Sequence, residues 1–197
     1  TALSRVTGYL RLAAAAFALG ITETRLADAY NIANITPNII YELALGGILT
    51  SVVVPVYVSW LADHGRDEAR EVASRLLTGA LVALSVVAVV AIVAAPWIVD
   101  LSTLRAGDDR EATRALATFF LRWFMPQIVF YGLGAIASGV LNAERRFAAP
   151  MFAPVLNNLL VIATFVLYAA LPAPAAGSGD LATPLQQLVL AIGTTLG

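Results

Sequence analysis

The residues best equipped for chemistry lie early in the chain: Arg5 and Arg11, then Asp28, Asn31, Asn34, Asn38, Tyr41 and Glu42. Ser4, Thr7, Gly8 and Arg11 recur at three- to four-residue spacing and share one face of a helix. Advancing about 100° per residue from Asp28, the polar side chains through Glu42 fall within an arc of about 140°. Ionisable groups within a membrane span are costly and mark functional candidates, here as the wall of a wet cavity. Two plainer readings compete with a wet cavity wall. Asparagines can hydrogen-bond between helices as a polar seam, and an arginine with a glutamate can form a structural pair. Two acids on the asparagine face, beside arginines on the preceding helix, favour the cavity. Arg5, near the end of its helix, also fits a headgroup anchor.

Other chemistries are poorly supplied. The chain has no cysteine and a single histidine, His64, which rules out disulfides, thiolate metal sites and thiol catalysis and leaves nothing for a histidine cluster. No Ser/His or paired-acid constellation stands at a membrane face, so an enzyme is the weakest reading, and no cofactor or metal is called for. All 12 basic residues are arginine and the net charge is −1, which gives no nucleic-acid footprint.

The elements that must position these groups are membrane helices. Of 197 residues, 59% are hydrophobic and 13% charged, and the mean hydropathy is +0.81. A soluble domain carries about 25% charged residues. A helix needs about 20 mostly apolar residues to span the hydrocarbon layer. Uncharged stretches at 76–99 and 123–143 meet that length. A third, at 147–179, is ended near residue 170 by Leu171-Pro172-Ala173-Pro174, and a fourth begins at 181. The apolar pattern of 43–62 extends back to 27, which predicts one long helix bent near Pro37 and Pro55. The reading is therefore an all-α polytopic membrane protein forming a single transmembrane lobe over 1–197. Its six helices fall at about 4–19, 26–60, 69–99, 109–142, 150–170 and 184–197, and the chain looks cut at both ends.

Short connections predict that successive helices are antiparallel neighbours. With the N-terminus cytoplasmic, Arg5, Arg11, Arg66, Arg70, Arg75, Arg145 and Arg146 lie inside, and Arg25, Arg105, Arg110 and Arg114 outside. That excess favours the cytoplasmic N-terminus. Gly134/Ser138 and Ala135/Gly139/Ala143 read as small-residue repeats for close helix packing. Pro96, Pro126, Pro150 and Pro154 read as helix ends or kinks, Arg105, Arg110 and Arg114 as a solvated face, and His64 as exposed.

Several segments together resemble the bacterial MurJ/MviN flippase family. Ser4-Arg5-Val6-Thr7-Gly8-Tyr9-Leu10-Arg11 is similar to its S-R-x-x-G-(F/Y)-x-R start. Ala27-Asp28-Ala29-Tyr30, Pro37-Asn38 and Val54-Pro55-Val56 are similar to its second-helix signature, and Ala95-Pro96-Trp97 to the end of its third helix. The run from Gly139 through Asn142, Arg145-Arg146-Phe147, Ala149-Pro150 and Phe152-Ala153-Pro154 to Asn157-Asn158 resembles its G-x-L-N-A-x-x-R-F…A-P-x-F-A-P segment.

The resemblance implies the N-terminal lobe of a fourteen-helix, two-lobe transporter in the bacterial cytoplasmic membrane, with a C-terminal lobe beyond residue 197. It implies lipid II, an undecaprenyl-diphosphate-linked glycan, as the substrate flipped by alternating access in cell-wall biogenesis. Its cavity positions map onto Arg5, Arg11 and Asp28, and the polar stripe adds Asn31, Asn38 and Glu42 as substrate-binding candidates. One departure bears on the ligand. Tyr41, Glu42 and Gly46 stand where the family places two arginines and an acid, so the cavity is less positive. That leaves room for a divergent lipid II flippase or a carrier of another polyprenyl-linked glycan. A transport-inactive membrane scaffold and a small-solute exporter are the readings from other classes.

Overall fold

The computed structural model describes residues 2–20, 25–43, 52, 54–102, 110–174 and 181–197. Among them are eight helices and no strand: α1 (Ala2–Leu19), α2 (Arg25–Tyr41), α3 (Val54–His64), α4 (Arg66–Ser102), α5 (Arg110–Phe124), α6 (Gln127–Ala143), α7 (Ala148–Ala170) and α8 (Pro184–Leu196). The all-α class stands. The helix expected over 26–60 appears as α2, a π-type turn at Glu42 and Leu43, and α3; residues 44–51 and 53, with Gly46, lie outside the described residues. Pro55 falls in the first turn of α3, where its missing N–H costs nothing.

Three stretches among the described residues are long and apolar enough to cross a membrane: Arg66–Ser102, Thr113–Ala143 and Ala148–Ala170. α4 shows why. Its 37 residues extend for about 55 Å at the usual helical rise, so its charged first turns project beyond a hydrocarbon layer of about 30 Å. Leu84, Ala88, Ala91, Ala95 and Val99 are buried at helical spacing, whereas Val82, Val86, Val89, Val93 and Trp97 on the other side are exposed. Alanines therefore predominate on the side that faces protein, with Leu84 and Val99, while valines and Trp97 face outward, as lipid demands.

The helix expected over 109–142 is two. Pro126 offers no N–H to Arg122, and the turn at Met125 and Pro126 closes instead through Ile128 N–H to Met125 O and Val129 N–H to Pro126 O, each at 3.1 Å. α5 is strongly two-faced: Leu116, Ala117, Phe120, Leu121 and Phe124 are buried, while Arg114 and Arg122 are exposed. Arg114 is more than part of a solvated face, since its Nη2 donates to Asp100 Oδ2 at 2.8 Å and ties α5 to the end of α4.

Packing does not simply follow chain order. α1 lies along α7 and α2 along α5, while α4 contacts α3, α5 and α6, and α8 fills in against α7 and α5. Among the described residues α1 and α2 share no comparable interface, contrary to the neighbour rule. Their buried faces explain this. Leu26, Ala29, Tyr30, Ala33 and Pro37 of α2 pack inward, and Tyr30 meets Phe120 at 6.0 Å, Phe124 at 5.6 Å and Phe165 at 5.7 Å, all edge-on. That aromatic cluster draws α2 onto α5 and α7.

The close contacts fall at one of the repeat glycines, Gly139, and at Gly132 and Gly193 outside the repeats. A Cβ on Gly193 would strike Thr164, one on Gly132 would strike Leu84, and one on Gly139 would come within 2.7 Å of Val54 Cγ2. Gly139 thus does allow close packing, on α3. Gly134 has open space around it and lines a groove with Ser138.

Candidate substrate groove

The groove forms where α1, α6, α7 and α8 diverge, and has a volume of about 790 Å³. Ser4, Gly8 and Arg11 form its α1 side, and Pro150, Pro154 and Asn157 its α7 side. The two prolines, read from sequence as kinks, therefore also shape a wall. A smaller chamber of about 240 Å³ reaches α2, taking in Tyr30, Asn31 and Asn34. Arg11, Gln127, Tyr131 and Asn157 line both spaces.

Arg11 is the one charged side chain among the described lining residues of either space. It also has no acidic partner among the described residues. The structural Arg–Glu pair considered from sequence is therefore not formed. A guanidinium at a concave surface without acidic side chains among the described residues keeps its donors for an incoming anion.

Neutral hydrogen bonds build the surrounding wall. Tyr131 donates its hydroxyl hydrogen to Gln127 Oε1 at 2.9 Å, and Gln127 Nε2 donates to Thr194 O at 2.9 Å. Thr194 Oγ1 is hydrogen-bonded to the Tyr30 hydroxyl at 2.9 Å. On the far side, Asn158 Nδ2 donates to Thr7 Oγ1 at 3.0 Å and to Ser4 O at 3.3 Å, clasping α1 to α7. Asn157 Nδ2 donates to Gly197 O. Tyr41 touches the wall from outside, its ring 5.9 Å from that of Tyr131 and edge-on.

Of the residues singled out from sequence, Arg11, Asn31 and Asn34 come together here. Arg5 does not join them. Six residues from Arg11 on a helix it is rotated by about 120°, and it is exposed beside Tyr9 and Leu12. Asp28, Asn38 and Glu42 are exposed along α2 and line neither space. Their stripe points away from the lobe's own core. Lipid cannot satisfy such groups, so that face must meet water or protein.

Gln127, Tyr131, Ser138, Asn157 and Asn158 were not picked out as site residues from sequence. Gln127 and Tyr131 are one turn apart in an uncharged span, a spacing that places both on one face. His64 is exposed and stacks on Trp60 at 4.6 Å, outside any site.

The fold and groove define a polytopic all-helical membrane protein with a cation-bearing polar groove between its helices. Residues 16–197 match the sequence profile of the family described as lipid II flippase MurJ. The chain is 36% identical to the lipid II flippase MurJ of Burkholderia cenocepacia over 169 residues, 86% of this chain and 32% of that protein. It is 30% identical to the probable lipid II flippase MurJ of Rhizobium meliloti over 194 residues, 95% of this chain and 36% of that protein. It is also 30% identical to the probable lipid II flippase MurJ of Haemophilus influenzae over 207 residues, 100% of this chain and 37% of that protein. The chain belongs to the MurJ lipid II flippase family. It spans about a third of the length of these curated relatives. The family is one of transporters, not catalysts.

Proposed function

We propose that the whole protein containing this chain flips lipid II, an undecaprenyl-diphosphate-linked glycan, across the bacterial cytoplasmic membrane, and that this chain supplies the N-terminal lobe. The observation that carries the reading is Arg11, uncompensated by any acid among the described residues and lining both polar spaces. A diphosphate brings concentrated negative charge and needs a delocalised cation once it leaves water. A lone arginine among neutral amides attracts it without locking it in place, and a carrier needs release as much as capture.

The exposed α2 stripe of Asp28, Asn31, Asn38 and Glu42 supports a second wall across the groove, contributed by a C-terminal lobe. Rocking of two lobes would then expose Arg11 to each leaflet in turn. Arg5, on the outer face of α1, acts as a headgroup-level contact at the entrance. The arginine bias of the predicted loops supports an N-terminus on the cytoplasmic side.

The test is rescue of a bacterium depleted of its own lipid II flippase by the whole protein. Restored growth, with lipid II reaching the outer leaflet, is the expected result. Failure to rescue despite normal membrane expression would contradict it. Transport of a different undecaprenyl-linked glycan in the same assay would reassign the cargo, a result that Tyr41 and Glu42 in place of two family arginines would then explain.

A further inference from the structure

We propose that the smaller chamber is a carbohydrate subsite, in which Tyr131, Asn31 and Asn34 select the sugar next to the diphosphate held at Arg11. This rests on the flippase reading and extends it to the part of the cargo that carries no charge.

The argument begins with the chemistry of the wall. A phosphate offers only acceptors, so a wall built for it alone would present donors. Asn31 and Asn34 present amides that both donate and accept, and Tyr131, whose hydroxyl hydrogen goes to Gln127, presents an acceptor beside them. Hydroxyl and acetamido groups of a sugar have the same double character. Asn31 and Asn34 hold no side-chain hydrogen bond among the described residues, so their amides are available to a ligand.

Preorganisation points the same way. The Tyr131 phenol is fixed through Gln127 to the backbone of α8, by bonds of 2.9 Å each. Gln127 is only 3% exposed, so this chain of bonds is sheltered from water. The Tyr41 ring braces Tyr131 from α2. The result is a rigid aromatic surface beside unengaged amides, which suits a pyranose with one apolar C–H face and a rim of hydroxyls.

Size and position complete the case. The chamber, at about 240 Å³, is on the scale of one sugar ring, and it shares Arg11, Tyr131 and Asn157 as lining with the groove of about 790 Å³. A sugar bonded to the phosphate would enter the small space while the rest of the headgroup lay in the large one.

The experiment compares binding of two probes to the whole purified protein: lipid II, and undecaprenyl diphosphate without sugar. Wild type is expected to bind lipid II more tightly. Tyr131→Leu is expected to weaken lipid II binding about tenfold, the loss of one well-placed contact set, and to leave the sugar-free lipid unchanged. Tyr131→Phe keeps the ring and should fall between the two. If Tyr131→Leu does not fold, Asn31→Ala, an exposed change with no packing role, carries the same comparison. Equal losses for both lipids, or no loss for either, would overturn the subsite. Equal wild-type affinity for the two lipids would also overturn it while leaving the flippase reading intact, and wild type binding neither lipid would refute both.

Discussion

The hydroxyl of Tyr30 and Oγ1 of Thr194 are hydrogen-bonded at 2.9 Å, joining α2 to α8 across 164 residues of sequence. The same Tyr30 ring makes edge contacts with Phe120, Phe124 and Phe165. One side chain therefore belongs to both the apolar core and the polar wall, and its two parts can be tested separately. Tyr30→Phe should cost about 1–2 kcal/mol, because it leaves the buried Thr194 hydroxyl short of a partner. Tyr30→Ala should cost about 3–5 kcal/mol by emptying the ring cluster. Thermal unfolding of the detergent-solubilised protein would rank them, and equal losses would contradict the division of roles.

Gly193 of α8 faces Thr164 of α7 so closely that an added Cβ would collide with it. Gly193→Val is expected to destabilise by about 1–3 kcal/mol, the usual cost of overpacking, and pairing it with Thr164→Ala should recover part of the loss. Gly134→Ala, where open space surrounds the glycine, should leave the melting temperature nearly unchanged. A loss at Gly134 as large as that at Gly193 would contradict the packing described here.

The Asp100–Arg114 pair links α4 to α5 while remaining partly exposed, at 38% and 45% for the two side chains. Exposed pairs contribute about 0–1 kcal/mol and are screened by salt. Asp100→Asn should therefore lower stability by less than about 1 kcal/mol, and the difference from wild type should shrink as salt is raised. A larger, salt-independent loss would show that the pair works as a buried one.

How far the sequence alone reaches can be judged from particular residues. The long apolar helices α4 and α7 are legible because uncharged runs of that length have few other uses. The break at Met125 and Pro126 is only half legible, since Pro126 reads equally as a helix end or as a kink in a continuous helix. Arg11 stood out because a charge within a span is costly and conspicuous. Gln127 and Tyr131 did not, for the opposite reason: one neutral polar group per turn hardly alters an apolar pattern. Their role depends on Thr194, 67 residues beyond Gln127, and on α1 lying along α7 rather than α2. Such pairings are set by side-chain fit across the bundle, as at Tyr30, and short connections do not reveal them.

Arg11 carries the central claim, and its substitution in the whole protein is the most direct test. Arg11→Ala should abolish rescue of a flippase-depleted bacterium at normal membrane expression, and should weaken binding of sugar-free undecaprenyl diphosphate and lipid II alike. Arg11→Lys, which keeps the charge but loses the two-pronged donor geometry, should retain only part of both activities. Full rescue by Arg11→Ala with unchanged lipid binding would contradict the assignment of this groove to the diphosphate.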